Sequence, residues 1–344
     1  MINRIGVLTG GGDSPAINAA IRAIFFKANI YGYKVVGIRN GWEGMVKGNA
    51  FELSRNDVEN ILATGGTIIG TSRTNPFKIE GGVDKVLQNI KNFELDAIIT
   101  IGGDDTNGVM HRLYTQYGFK GVGIPQTIDN DIAYSDFSIG FESSLEIVTE
   151  AIDRLHTTAC SHSRVMIVEV MGRDSGWLTL YGGLAGGADI ILIPEVDFNF
   201  DEIIRILEER KKRGANYSLI AVAEGAKPSV LNKQVVASGM VDSFGHVQLG
   251  GIAKVIAEEI EKRSGIECRS MVLGHLQRGG RPTAFDRVLG TRLGVYAVDL
   301  VHQGKFGNLV TMYKGEVTTV PVESALTEKK HMDMSLYELS KLFY

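Results

Sequence analysis

Short, unbroken apolar runs recur along the chain, and many of them are followed by glycine. Each run is continuous rather than alternating, which is typical of parallel strands that are covered on both faces. Glycine contributes 42 of the 344 residues, well above its ordinary share of roughly 7%. The runs are RIGVLT (4–9), KVVGIR (34–39), DAIITI (96–101), GVGIP (121–125), RVMIVEV (164–170), ADIILIP (188–194), SLIAVAE (218–224) and SMVL (270–273).

The segments between these runs have helical periodicity. In residues 141–155, Phe141, Leu145, Val148 and Ile152 recur at steps of three and four, while acidic residues occupy the other positions. Alternating strands and helices predict βαβ units and parallel sheets, whose ligands bind at the carboxyl ends of the strands. The sequence leaves open whether one boundary falls near 138–142 or two halves interleave across a shared cleft.

Charge and composition exclude several classes of protein. A formal net charge of −4 and a pI near 6.0 provide no basic field for nucleic acid or an anionic membrane. Two cysteines, Cys160 and Cys268, are too few for a disulfide framework. We find no signal peptide and no apolar stretch approaching 18 residues, so we expect a cytoplasmic protein.

Acidic residues follow two of the predicted strands. Asp104 and Asp105 come after DAIITI, and Asp129 and Asp131 come just beyond GVGIP. We expect Asp104, Asp129 and Asp131 to converge at one sheet edge, where such a cluster requires a cation or a shared proton. This pattern predicts a Mg²⁺ site with one carboxylate free to act as a base. The alternative is that Asp129 and Asp131 cap a turn or helix.

Other strand ends carry groups suited to anions. TGGGDSP resembles a phosphate-holding turn before a helix, although it matches neither the dinucleotide nor the Walker pattern. The segment GGTIIGTSRTNPF presents Arg73, EVMGRDSG presents Arg173, and GHLQRGG presents His275 and Arg278. Arginine donates paired hydrogen bonds to phosphate, and Glu224 closes another strand, where it could bind sugar hydroxyls.

These motifs together resemble the A-type phosphofructokinases. The resemblance extends from GVLTGGGDSPAINAAIR to LGVYAVDL, and TIDND, MGR and GHLQRGG follow in the family's order. It implies an α/β fold of two Rossmann-like, three-layer parallel-sheet domains that face a shared cleft. It also implies transfer of a phosphoryl group, in glycolysis, to the 1-hydroxyl of fructose 6-phosphate. We assign residues 1–140 to a larger donor and Mg²⁺ domain, 141–320 to a sugar-phosphate domain and 321–344 to a C-terminal tail, and the chain could cross back between the domains.

The resemblance assigns a role to each matching position. Asp129 resembles the general base, with Thr127 beside it, Asp104 resembles the Mg²⁺ ligand supported by Asp131, and Arg173 would stabilise charge on the moving phosphoryl group. The implied sugar-phosphate contacts are Thr127, Asp129, Arg164, Met171, Gly172, Arg173, Glu224, Arg269, His275 and Arg278. The implied donor contacts are Gly12, Arg73, Gly103, Asp104, Asp105, Thr106 and Gln126. Arg164 and Arg269 match arginines supplied by a neighbouring subunit, which implies a homodimer or homotetramer with shared active sites.

The donor depends on two of these positions. ATP-using relatives have glycine at the position of Asp105, where a carboxylate would crowd and repel the α-phosphate, so Asp105 favours pyrophosphate. Pyrophosphate-using relatives usually carry lysine at the position of Gln126, and its absence leaves ATP open as the donor.

Three other classes of protein explain fewer of these motifs. A lipid or NAD kinase would share a GGDG-like element but would not explain MGR with GHLQRGG. A nicotinamide dehydrogenase matches only the α/β pattern, and a noncatalytic sugar-phosphate sensor would not require three carboxylates.

Overall fold

The strands of the protein are mostly short, as the apolar runs predict. A computed structural model describes residues 2–229, 236–241 and 247–344. Within these residues the strands are β1 Arg4–Gly10, β2 Lys34–Ile38, β3 Ala50–Glu52, β4 Ala97–Gly102, β5 Gly121–Pro125, β6 Val165–Val170, β7 Ile190–Leu192, β8 Ser218–Ala223, β9 Val236–Val241, β10 Val247–Leu249, β11 Cys268–Val272, β12 Asn308–Tyr313 and β13 Glu316–Pro321.

Helices occupy most of the segments between the strands. Those of the same residues are α1 Ile17–Ile30, α2 Trp42–Lys47, α3 Arg55–Val58, α4 Gly82–Asn92, α5 Asp104–Tyr117, α6 Phe141–His162, α7 Trp177–Ala185, α8 Phe200–Lys212, α9 Ile252–Ser264, α10 Ala284–His302, α11 Val322–Thr327 and α12 Met334–Ser340. Short 3₁₀ turns lie at Pro76–Lys78, Gly274–Arg278 and Lys341–Phe343.

The chain divides into two compact units whose bounds differ from the predicted domains. Among the described residues, unit 1 comprises 2–143 and 278–330, and unit 2 comprises 144–229, 236–241, 247–277 and 331–344. Residues 278–320, which we had assigned to the second domain, therefore return to unit 1. The predicted tail is also split, because its first residues belong to unit 1 and its last fourteen to unit 2.

Unit 1 is built on a sheet with strand order β13-β12-β5-β4-β1-β2-β3. Strands β2, β1, β4, β5 and β12 pair in parallel, while β3 and β13 are antiparallel at the edges. One face packs against α1 and α10, and the other against α2, α4, α5 and α11. This is the predicted three-layer arrangement, because a parallel sheet must be covered on both faces.

Unit 2 repeats the scheme on a smaller parallel sheet with order β11-β6-β8-β7. Helices α8 and α9 cover one face through a core that includes Ile203, Ile206, Ile256 and Ile260. The edge strand β7 is covered by Tyr344, whose hydroxyl lies 3.2 Å from both the N and the O of Ile191. The last residues are therefore part of the unit 2 fold.

The first helix begins later than its sequence suggests. Ser14 and Pro15 resemble a cap and a first helical position, but α1 starts at Ile17. The Ser14 hydroxyl instead donates to the Ile139 carbonyl at 3.3 Å and is fully buried. Tertiary contact thus replaces local capping. Among the described residues, no helix combines the length and apolarity needed to cross a membrane.

The close packing of α1 on α10 generates a stability prediction. A Cβ added at Gly294 would lie 2.7 Å from the Ala20 carbonyl oxygen and 2.9 Å from the Ala23 Cβ. We expect Gly294→Ala to lower the free energy of unfolding by about 1–3 kcal/mol, because the helices must separate. Gly108→Ala is the matched control, since its Cβ would meet only Leu326 Cδ1 at 3.6 Å. Equal midpoints for both variants in urea would contradict this account.

Candidate active site

Three loops of unit 1 begin side by side at the carboxyl edge of its sheet. Gly10 at the end of β1 pairs with Gly102 at the end of β4, and Gly102 pairs with Pro125 at the end of β5. The glycine-rich loop, the paired aspartates and the TIDND segment therefore start from neighbouring points. The sequence-based prediction that these motifs share one edge is confirmed by this register.

The glycine-rich loop is fastened from several directions. Thr71 Oγ1 donates to the Gly11 carbonyl at 2.9 Å, which brings the loop of the exposed Arg73 to this turn. Gln126 Nε2 donates to the Gly12 carbonyl at 3.1 Å. Arg278 Nη1 donates to the Asp13 carbonyl at 3.1 Å, and its guanidinium would overlap any side chain at position 12. A side chain at position 12 would therefore have to displace the Arg278 guanidinium.

Asp104 and Asp105 form the first turn of α5, directly after the N-cap residue Gly103. Asp104 is exposed at the surface, yet partial removal from water and the charge of Asp105 raise its pKa to about 6. The helix N-terminus offsets part of the repulsion because its free N–H groups attract negative charge. The two carboxylates thus sit where phosphate and a cation could both be held.

Two buried polar residues shape this turn. Thr106 is 1% exposed, and its side chain occupies the space beside Gly10 and Gly102. Asn107 donates to the Gly102 carbonyl at 2.7 Å and accepts from the Thr100 hydroxyl at 2.8 Å. We had not singled out Asn107 from the sequence. Its only signal is an amide one turn into a helix that follows a buried strand.

The TIDND loop carries the proposed base. Asp129 is 8% exposed and its N–H donates to Thr127 Oγ1 at 3.1 Å, whereas Asp131 is exposed. Asn130 between them has φ of 52° and is 3% exposed. Its side chain accepts from the Ser138 N–H at 3.0 Å and donates to the Asp136 carbonyl at 3.2 Å. Asn130 was also missed, although asparagine tolerates the left-handed region better than most residues.

The predicted metal cluster is not found as a preformed group. Across residues 2–229, 236–241 and 247–344, no three His, Cys, Asp or Glu side chains are placed to hold one ion. The described residues thus hold no ready-made group of three carboxylates from Asp104, Asp129 and Asp131, and the assignment of Asp104 to Mg²⁺ stays a prediction. Mg²⁺ usually binds through one or two carboxylates, waters and substrate phosphates rather than an all-protein cage. The closely spaced acids Asp104 and Asp105, with hard oxygen ligands, suit that mode of binding.

In unit 2, the MGR motif is held by two side chains from other segments. Glu224 Oε1 accepts from the N–H groups of Gly172 at 3.3 Å and Arg173 at 3.1 Å. Gln277 Oε1 accepts from the Met171 N–H at 3.2 Å and is fully buried. Arg173 has φ of 51°, an unusual value for this residue type that Glu224 helps to hold. Glu224 therefore positions the turn as well as being a candidate sugar ligand.

The structure also brings Arg164 and Arg269 together. Both donate to Glu267 Oε1, Arg164 at 2.9 Å and Arg269 at 2.6 Å, on adjacent strand segments. His275 lies exposed in the 3₁₀ turn Gly274–Arg278. Arg164 and Arg269 thus meet at Glu267, and Arg269 Nη1 also lies 3.4 Å from Glu261 Oε1.

Comparison with known proteins identifies the family. The model of the family Phosphofructokinase matches residues 4–301, and the chain belongs to this family. A pyrophosphate–fructose 6-phosphate 1-phosphotransferase of Dictyoglomus thermophilum is 49% identical over 343 residues, which cover 99% of this chain and 98% of that protein. An ATP-dependent 6-phosphofructokinase of Mycobacterium leprae is 44% identical over 343 residues, with 99% of each chain covered.

Solved structures agree on the fold. A phosphofructokinase from Saccharomyces cerevisiae superposes with a TM-score of 0.81 at 31% identity, over 94% of this chain. This chain spans only 45% of the length of that yeast chain. A pyrophosphate-dependent phosphofructokinase from Marinobacter aquaeolei has a TM-score of 0.83 at 22% identity, over 97% of this chain and 86% of its own. At that identity the likeness shows the fold alone.

The raised pKa of Asp104 generates a pH-dependent prediction. A carboxyl whose folded-state pKa is raised from 3.8 to about 6 contributes stability below pH 3.8 that is lost as the pH rises through about 6. In the presence of a chelator, Asp104→Asn should therefore raise the Tm relative to wild type near pH 7.5. This gain should shrink near pH 5, where Asp104 is mostly protonated.

The control for that measurement is Asp84→Asn. Asp84 is an exposed acid in the first turn of α4, where negative charge favours the helix. Its neutralisation should lower the Tm at both pH values. A gain for Asp104→Asn that is the same at both pH values would rule out the raised pKa.

Proposed function

We propose that the protein transfers a phosphoryl group from pyrophosphate to the 1-hydroxyl of fructose 6-phosphate, giving fructose 1,6-bisphosphate and phosphate. The observation that carries the choice of donor is the acid Asp105 in the first turn of α5, beside Asp104 and at the same sheet edge as the glycine-rich loop. Four pyrophosphate-named relatives at 47–49% identity support it. The ATP-named relatives stand at 43–44%.

The donor is proposed to bind at the carboxyl edge of unit 1. Backbone N–H groups around Gly12 and Gly103, with Arg73, Thr106 and Gln126, would hold its phosphates. Asp104 would hold Mg²⁺, which would supply positive charge to offset the charge that develops on the transferred phosphoryl group. Asp105 occupies the room that an α-phosphate would need and repels it, whereas pyrophosphate carries no such group. The larger domain would thus be the donor domain.

Asp129 is proposed to act as the general base. Its buried position and its short loop allow it to accept the proton of the 1-hydroxyl as the sugar oxygen forms a bond to phosphorus. The bridging P–O bond of pyrophosphate breaks at the same centre, and its electron pair leaves with phosphate. Thr127 would orient Asp129, since its hydroxyl accepts the Asp129 N–H, and Asp131 would support the metal side.

The sugar phosphate is proposed to bind through unit 2 and the GHLQRGG segment. Arg173 would stabilise the charge on the phosphoryl group during transfer, because catalysis of phosphoryl transfer depends mainly on positioning and electrostatics. Met171, Gly172, Glu224, His275 and Arg278 would contact the sugar phosphate. Arg164 and Arg269 would bind the sugar phosphate in the active site of a neighbouring subunit. The enzyme would therefore work as a homodimer or homotetramer, in the cytoplasm.

ATP is the second candidate donor. Gln126 is uncharged and donates to the Gly12 carbonyl, so it supplies no positive charge to pyrophosphate. An assay with fructose 6-phosphate, Mg²⁺ and pyrophosphate, ATP or ADP separates the two donors. Turnover with ATP alone would replace the pyrophosphate proposal and leave the acceptor unchanged.

Position 105 provides a direct test of donor choice. We expect Asp105→Gly to raise the ratio of kcat/KM for ATP over pyrophosphate about tenfold, which corresponds to ~1.4 kcal/mol. Asp105→Asn is the control, because it removes the charge and keeps the volume. Gln126→Lys should shift the ratio towards pyrophosphate. If neither Asp105→Gly nor Asp105→Asn moves the ratio, Asp105 does not select the donor.

The proposed base has its own test. Asp129→Asn should lower kcat by roughly 10²–10⁴-fold while KM for fructose 6-phosphate changes little, because a general base acts in the transition state. The Tm of Asp129→Asn should also be measured, to show that the variant is folded. Asp84→Asn, the same change at an exposed position, is the control and should leave kcat unchanged. Turnover at the wild-type rate would assign the proton to another group.

A further inference from the structure

The residue Asp136 connects the TIDND loop to the rest of unit 1. Its N–H donates to the Met312 carbonyl at 2.7 Å, and its Oδ2 accepts from the Gly315 N–H at 2.9 Å. Both partners belong to the hairpin formed by β12 and β13, at the edge of the sheet. Asp136 is thereby fixed to a rigid element of the fold.

The carbonyl oxygen of Asp136 has two donors. Lys330 Nζ donates to it at 2.8 Å, and Asn130 Nδ2 donates at 3.2 Å. Asn130 lies between Asp129 and Asp131 and has φ of 52°, a left-handed conformation that asparagine tolerates better than most residues and that surrounding contacts hold in place. The side chain of Asn130 supplies those contacts through Asp136 and Ser138.

We propose that Lys330 is a positioning residue for phosphoryl transfer, which holds the Asp129 loop through the shared Asp136 carbonyl and Asn130. This inference rests on the proposed function, since Asp129 is its base. Lys330 lies beyond the part of the chain that carries the family resemblance, and we assigned it no role from the sequence. The preceding residue, Lys329, pairs with Ile132 in an isolated antiparallel bridge. The same segment therefore also contacts the loop just after Asp131.

Charge supports the same role. Burial lowers the pKa of Lys330 to about 8, against the opposing influence of Asp136 and Asp131. At neutral pH the ammonium is therefore mostly charged, and a charged donor makes a stronger hydrogen bond to a carbonyl than a neutral one. Lys330 is also close enough to Asp131 for the two charges to attract each other, which offsets part of the repulsion among the acids of TIDND.

The first experiment compares Lys330→Met with Lys329→Met in the full chain. Lys329 is exposed and its contact with the loop is made by its backbone, so the two variants each remove one positive charge but only Lys330→Met removes a side chain that holds the loop. We expect Lys330→Met to lower kcat about ten- to hundredfold, as a misplacement of about 1 Å does. KM for both substrates should change less than about twofold, and Lys329→Met should match wild type. Lys330→Arg, which keeps a charged donor, should recover most of kcat.

A double-mutant cycle with Asn130→Ala separates positioning from a general loss of structure. If Lys330 acts through Asn130, Lys330→Met should cost less than about twofold in the Asn130→Ala background, because neighbours in one network are not additive. All variants are assayed well below their lowest Tm. If Lys330→Met does not fold, Lys330→Gln takes its place in the same cycle.

The outcomes are distinct. A kcat for Lys330→Met equal to that of Lys329→Met, or full additivity with Asn130→Ala, overturns the role of Lys330 and leaves the proposed function intact. A wild-type protein that transfers no phosphoryl group to fructose 6-phosphate from pyrophosphate, ATP or ADP overturns the proposed function, and this inference with it.

Discussion

The candidate site in unit 1 depends on the parallel register of β1, β4 and β5. Because Gly102 pairs with both Gly10 and Pro125, three loops from distant parts of the chain begin on three successive strands of the sheet. Parallel pairing sends every carboxyl end to the same edge, which an antiparallel sheet would not do. A slip of one residue in β4 would turn its side chains to the opposite faces and move Asp104 away from the glycine-rich loop.

Much of this arrangement is predictable from sequence because it follows from local rules. Continuous apolar runs indicate strands buried on both faces, and each of the eight quoted runs overlaps a strand of the structure. The glycines, the paired aspartates and the arginine motifs stand directly after those runs. Their placement at strand ends therefore needs only the rule that ligands gather at the carboxyl edge of a parallel sheet.

The remaining features depend on contacts that sequence order does not reveal. Asn107 and Asn130 look like ordinary polar residues, and only the backbone carbonyls that they bind show their importance. Lys330 lies 194 positions from its partner Asp136. Sharing one sheet edge does not by itself bring three carboxylates around one ion, and the described residues hold no such group. The two units differ from the predicted domain bounds because helix α10 completes the core of unit 1 from far along the chain.

The interleaved path of the chain has a consequence for its synthesis. The core beside α1 is filled by residues of α10, and β12 pairs with β5 across a wide sequence separation. An N-terminal fragment that emerges first from the ribosome therefore exposes the apolar side of its sheet until residues near 310 have been made. Pairing between such distant segments is slow, and the intermediates that form before it expose apolar surface and tend to aggregate. Unit 1 therefore completes its fold late in translation, and a chaperone would bind an intermediate whose sheet still lacks β12 and the cover of α10.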